Sequence, residues 1–150
     1  MKFIVFDHLE NRQKNLETYK QTRKAYAGGL DHLELETRDN HIKKYYRLIY
    51  QDNAGAWREY IVTDIEEVHD EKGTSFFIYA ENSFIETSWS FIEDRRSYGQ
   101  GLTNAIEVAL QDTRWLGVTS LTTKKDINFY RLSAFEAVES ILKTWNVELE

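Results

Sequence analysis

The feature that most limits the folds open to this chain is a change of hydrophobic period after residue 98. Beyond it, Leu102, Ala105, Ile106, Ala109 and Leu110 fall at i, i+3, i+4, i+7 and i+8, which puts all five on one stripe of an α-helix. Before it, apolar residues alternate with polar ones, as in His32-Leu33-Glu34-Leu35-Glu36-Thr37, the mark of a half-buried strand. The spacing therefore predicts a β-rich body over residues 1–98 and a helical and strand segment over residues 99–150. The expected fold class is α+β, an antiparallel β-rich domain (a partly open barrel or a meander) followed by two amphipathic helices with short strands between them.

Within the body, residues 1–6 read as an opening strand and residues 45–50 as another. Asp52-Asn53-Ala54-Gly55 supplies residues that tolerate positive φ, the chemistry of a hairpin turn, before residues 57–65 return. A second turn at Asp70-Glu71-Lys72-Gly73 leads into residues 74–81, which completes a three-stranded antiparallel meander. Residues 13–24 stay open: their types favour helix, while Tyr19, Tyr26 and Gly28-Gly29 fit an extended entry into the next strand.

Past the first helix, Gly117, Val118 and the Ser/Thr-rich residues 119–123 break the helical pattern around Trp115, and Ile127-Asn128-Phe129-Tyr130 reads as a short strand. Ser133 and Glu136 then have capping-box spacing, so a second helix starts there, with Ala134, Ala137, Val138, Ile141, Leu142 and Trp145 as its apolar stripe. Residues 147–150 read as the opening of a further strand, expected to continue in a longer protein.

Composition removes whole classes of function. The chain has 150 residues, enough to bury roughly two thirds of its unfolded surface around a core, and with 41% hydrophobic and 14% aromatic residues it has the material to do so. It has no cysteine, which excludes disulfides, thiolate catalysis and sulfur-ligated zinc. The net charge is −6, with acids concentrated in residues 51–100. An acidic domain repels phosphate backbones, so no nucleic-acid partner is expected, and the basic residues 14–24 read as a solvated face. The opening apolar run meets Asp7 at once and no later run approaches a membrane span, so the expectation is a soluble chain without a membrane anchor.

No catalytic, cofactor-binding or metal-ligating residue is assigned. The four histidines (His8, His32, His41 and His69) are scattered, and neither a nucleophile elbow nor H-E-x-x-H is present. Glu66-Glu67-Val68-His69-Asp70-Glu71 lacks calcium-loop spacing and spans a turn, where charges are ordinarily solvated. In the cluster Asp31, His32, Glu34 and Glu36, alternation puts the last three on the wet side of one strand. Gly28-Gly29 and Gly99-Gln100-Gly101 match turns and a helix entry and make no phosphate loop. Tyr45, Tyr46, Tyr50, Trp57, Tyr60, Phe76, Phe77 and Tyr79 admit two readings, a stacking platform for sugars or cross-strand packing, and strands recruit aromatics chiefly for the second.

Several pieces follow one another along the chain: Ala27-Gly28-Gly29-Leu30-Asp31 with Leu33-Glu34-Leu35-Glu36, Trp57-Arg58-Glu59-Tyr60-Ile61-Val62, Tyr79-Ala80-Glu81-Asn82-Ser83, Ala109-Leu110-Gln111-Asp112-Thr113-Arg114-Trp115-Leu116-Gly117-Val118, Phe129-Tyr130, Ser133-Ala134-Phe135-Glu136-Ala137 and Trp145-Asn146-Val147-Glu148-Leu149-Glu150. In this order and spacing they resemble the N-terminal region of the phage and prophage tail-tip hub proteins, also called tail-associated lysins or prophage endopeptidase tail proteins. The resemblance covers nearly the whole chain except residues 8–24, and Thr113 to Val118 is its most specific piece. It implies a virion structural module at the tail tip, a baseplate hub that is a homo-trimer in the intact protein, with a distal tail protein and a tape measure protein as partners. It also implies no enzyme activity in this segment, since the family's lysin chemistry belongs further along the chain. The alternatives are a peptidoglycan-degrading tail enzyme segment and a carbohydrate-binding receptor module built on the meander aromatics.

Overall fold

The structure is a computed structural model that describes residues 2–25 and 31–149. The chain divides into two compact units, Met1–Ser83 and Phe84–Glu150. Mostly antiparallel sheet, which does not close, is followed by helices, so the fold class is α+β.

The first unit is one seven-stranded antiparallel sheet. Its strands are β1 (Lys2–Phe6), β2 (Leu16–Glu17), β3 (Lys20–Ala25), β4 (Asp31–Thr37), β5 (Arg47–Gln51), β6 (Trp57–Asp70) and β7 (Gly73–Asn82), in the spatial order β2-β1-β5-β6-β7-β4-β3. The expected meander is β5-β6-β7, and local chemistry sets both of its turns. Asp52 Oδ1 accepts from the amides of Ala54 at 3.0 Å and Ala56 at 2.9 Å, while Gly55 takes φ +83°, a region only glycine enters freely. At the second turn Asp70 pairs with Gly73, whose φ is +115°, and the Lys72 amide donates to Asp70 Oδ1 at 2.7 Å.

Alternation does the rest. Leu33 and Leu35 on β4 face the core with Phe3, Val5, Leu16, Leu48, Tyr60, Val62, Ile78 and Ala80, and each fully buried aliphatic chain contributes about 1.5–3 kcal/mol relative to exposure. His32, Glu34 and Glu36 lie on the wetter side of the same strand. Residues 16–17 and 20–25, within the stretch whose types left helix or extended chain open, are extended: β3 pairs with β4 from Lys20↔Glu36 to Ala25↔Asp31. A ladder of hydrogen bonds outweighs helix propensities worth a few tenths of a kcal/mol each. The charges on Lys20, Arg23 and Lys24 also suit β3 to the edge of a sheet, where cations discourage unwanted pairing. Tyr26 and Gly28-Gly29 lie outside the described residues.

The second unit holds most of a short 3-10 helix (Ser83–Trp89), a ribbon of β8 (Ile92–Gly101) and β9 (Lys124–Leu132), and two helices, α1 (Leu102–Leu110) and α2 (Ala134–Trp145). The two helical stripes read from the sequence meet on one core: Leu102, Ala105, Ala109 and Leu110 from α1 and Ala134, Ala137, Val138, Ile141 and Trp145 from α2 pack with Ile92, Ile127 and Phe129 of the ribbon. The capping box at the start of α2 is formed, with the Glu136 amide donating to Ser133 Oγ at 3.2 Å and the Ser133 amide to Glu136 Oε2 at 2.7 Å. The helix closes on Asn146 at φ +54°, whose amide donates to the Leu142 carbonyl. No helix among the described residues is long and apolar enough to cross a membrane.

Two features differ from expectation. Residues 147–149 are not a strand; Val147 and Leu149 instead pack, half-buried, on the helical core. Glu150 lies outside the described residues. The compact units also part at Ser83/Phe84, earlier than the change of period at residue 98, because β8 pairs with β9 and so goes with the helices. Alternation hardly marks β8: of its ten residues only Ile92 and Ser97 are buried.

Candidate functional site

The segment after α1, which the sequence singles out around Trp115, is held by a set of side chains that the sequence does not place together. Thr113 Oγ1 donates to the Leu110 carbonyl at 2.7 Å and accepts from the Trp115 amide at 3.2 Å, which turns the chain off the helix end. Trp115 Nε1 then donates to Glu86 Oε1 at 2.9 Å, on the 3-10 helix. The Trp115 ring meets Phe84 edge-on at 5.2 Å, and the Arg114 guanidinium lies 4.8 Å from the Trp115 ring centre while pairing with Glu86. One carboxylate, mostly buried, thus collects an indole N–H and a guanidinium. Removing either partner strips it of a charge-assisted hydrogen bond.

Arg95 of β8 closes the end of α1. Its guanidinium donates to the carbonyls of Val108 at 3.2 Å and Gln111 at 2.9 Å, and to Asp112 Oδ2 at 2.8 Å. A cation there satisfies free carbonyls and faces the negative end of the helix dipole. Gly117 allows the segment to lie close to α1, because a Cβ built there would sit 2.4 Å from Ile106 Cγ2. The far end of the loop is tied by Trp145, whose Nε1 donates to the Thr123 carbonyl at 2.9 Å. Sequence reading finds Trp115 but not Glu86, Arg95 or the close approach at Gly117. A glycine between two exposed apolar residues is the one local signal of that approach.

Among the described residues of the first unit, Asp31, Thr37 and Ser83 are buried polar residues. Asp31 is 5% exposed; it pairs with Arg23 and accepts from Asn82 Nδ2 at 3.3 Å. Burial opposes the Arg23 cation, but the hydrogen bond it donates to Asp31 prevails and raises its pKa. The Tyr60 hydroxyl is fully buried with no hydrogen-bond partner among the described residues. Its pKa is pushed far up, first by burial and then by the neighbouring Asp31 charge and Tyr50. The Asp31 carboxylate thus ties β3, through Arg23, and β7, through Asn82, to β4.

The two charged clusters singled out in the sequence lie on β4 and on the β6–β7 hairpin. Among the described residues no group of three or more His, Asp or Glu side chains could hold a metal ion. On the β4 face Glu34 pairs with Lys24 and His32, and the hydrogen bond from Lys24 does most to lower its pKa. The acidic run 66–71 lies on the β6–β7 hairpin and its tip, where His69 Nδ1 approaches Thr74 Oγ1 at 2.9 Å and Asp70 orders the turn. The meander aromatics divide. Tyr50 and Tyr60 stack at 6.0 Å inside the core, with Phe3 edge-on to Tyr50 at 5.2 Å, whereas Tyr45, Trp57 and Tyr79 are exposed.

No family model matches the sequence, and no curated protein matches it. Among solved structures the chain is similar to the prophage tail protein gp18 from Listeria monocytogenes EGD-e, with a TM-score of 0.68 and 11% identity over 95% of this chain and 45% of that one. It is also similar to the E. coli c3393 protein, with a TM-score of 0.52 and 8% identity over 93% of this chain and 39% of that one. The c3393 protein is described as a component of the type VI secretion system with structural similarity to the T4 bacteriophage tail proteins gp27 and gp5. The chain therefore spans less than half the length of either structure and shares its fold with a part of each.

Proposed function

We propose that this chain is a structural component of a phage or prophage tail tip, the N-terminal hub segment of a longer tail protein, and that it works through assembly contacts and not by catalysis. The observation that carries this reading is the likeness to prophage tail protein gp18 over 95% of the chain at a TM-score of 0.68. The ordered sequence pieces resemble the same class of protein. At 11% identity the likeness transfers architecture and no individual contact residue.

Under this reading the intact protein is a homo-trimer that docks on a ring of distal tail protein, contacts the tape measure protein and resides at the virion tail tip. The polar groups with low exposure support it in kind: Glu86, Arg95 and Asp31 each make contacts that hold the fold. The test is co-expression of the full-length protein with its distal tail protein, followed by light scattering on the purified complex. A trimer bound to the ring is the expected result. A strictly monomeric protein that ignores the ring removes the proposal, and clearing of cell-wall substrate by this chain alone in a zymogram replaces it with the enzymatic alternative.

A further inference from the structure

The loop between α1 and β9 presents apolar side chains to water in an ordered way. Along residues 113–120, Thr113, Trp115, Gly117 and Thr119 are partly buried while Arg114, Leu116, Val118 and Ser120 are exposed. This strict alternation is the signature of extended chain. The inner residues are anchored, Trp115 on Glu86 and Phe84 and Gly117 against Ile106. The anchors leave the alternate residues no choice of direction. Leu116 is 90% exposed and Val118 96%, the highest values among the exposed large hydrophobic residues described. The backbone amides and carbonyls of residues 116–118 also make no hydrogen bond among the described residues.

We propose that residues 115–119 are a strand-addition site, a preformed β-edge that receives an extended segment of a partner protein. The partner's backbone pairs with residues 116–118, and its apolar side chains cover Leu116 and Val118. The form of the occupant follows from the row of unpaired backbone groups, which an extended peptide satisfies and a helix, having spent its own amides internally, does not. Its chemistry follows from charge. Arg114 is committed to Glu86 and to the Trp115 ring, so the outward side between Arg114 and Ser120 offers no free charge and suits an uncharged strand with alternating apolar residues.

A second copy of this chain is the less suitable occupant. Antiparallel pairing about Gly117 would set Leu116 against Val118 of the copy, but an edge this short buries far less than the about 1,200 Å² at the lower end of specific stable interfaces. The edge therefore works as one contact within a larger assembly. This inference does not depend on the tail reading, since it concerns how the edge pairs and not which assembly it joins.

The experiment measures amide hydrogen exchange of the whole chain by NMR, with and without a blocked, uncharged peptide of alternating valine and threonine that carries a serine at each end. Saturating peptide is expected to slow exchange of backbone amides within residues 116–118 by about tenfold. The effect disappears with Val118→Asp, and with a peptide N-methylated at alternate amides. Because Val118 is so exposed, Val118→Asp leaves the fold intact. Absence of slowing, slowing that survives Val118→Asp, or slowing that grows with protein concentration and needs no peptide each overturns the proposal, the last by making a second copy the occupant.

Discussion

Gly117→Ala isolates the close approach between the Trp115 segment and α1. The added Cβ would lie 2.4 Å from Ile106 Cγ2, about 1 Å inside the shortest favourable carbon–carbon separation of about 3.5 Å. Ile106 cannot swing away cheaply, because a β-branched residue in a helix is held to essentially one χ1 rotamer. Either the loop lifts from α1 or Ile106 is forced off its rotamer, an overpacking cost of about 1–3 kcal/mol. Loss of backbone freedom in the unfolded chain offsets about 0.4–1 kcal/mol of this, so the net destabilisation is about 1–2 kcal/mol. Gly117 is not among the positive-φ glycines, so the effect is steric. Urea denaturation followed by tryptophan fluorescence measures it. A double-mutant cycle with Ile106→Ala supplies the decisive control: removing Cγ2 makes room for the new methyl, so the double variant should be more stable than the sum of the single effects predicts. Additivity within about 0.3–0.5 kcal/mol refutes the reasoning.

Four further expectations follow from the same geometry. Trp115→Phe keeps the ring against Phe84 but removes the N–H that donates to Glu86, which should cost about 1.5–3 kcal/mol in the same denaturation assay, the range for a hydrogen bond to a charged group. Ser133→Ala deletes the hydroxyl of the capping box and should cost about 0.5–2 kcal/mol, seen as a lower thermal midpoint by circular dichroism. Glu136 has its pKa lowered below its ordinary 4.5, first by the Ser133 amide and then by the Ser133 hydroxyl. A depressed folded-state value means that this contribution is present above the ordinary pKa and is lost as pH falls through the folded value. Stability relative to Glu136→Gln should accordingly decline only on acidification below about 4.5, read from urea midpoints across a pH series. Tyr60→Phe removes a buried hydroxyl without a partner among the described residues, so stability should stay level or rise by about 1 kcal/mol, and a loss of several kcal/mol would reveal an unseen partner.

The sequence by itself determined what depends on neighbours a few positions away. Both helices, with their buried stripes and the capping box at Ser133, are legible because helical period and cap chemistry are local. The β5-β6-β7 meander is legible because Asp52 to Gly55 and Asp70 to Gly73 carry the conformational and hydrogen-bonding chemistry of their turns. Only the tertiary structure decided residues 16–25, where pairing with β1 and β4 overrules the residues' own preferences. The same holds for β8, whose charged residues show little alternation and which becomes a strand through β9. Around Trp115 the division is sharpest. Its prominence is visible in the sequence, but its partner Glu86 comes from the 3-10 helix, Arg95 from β8 and Ile106 from α1. Contacts between residues distant along the chain leave no periodic trace, because no local spacing is needed to make them. For that reason the exposed edge at Leu116 and Val118, which exists only because its neighbours are pinned, could be found only in three dimensions.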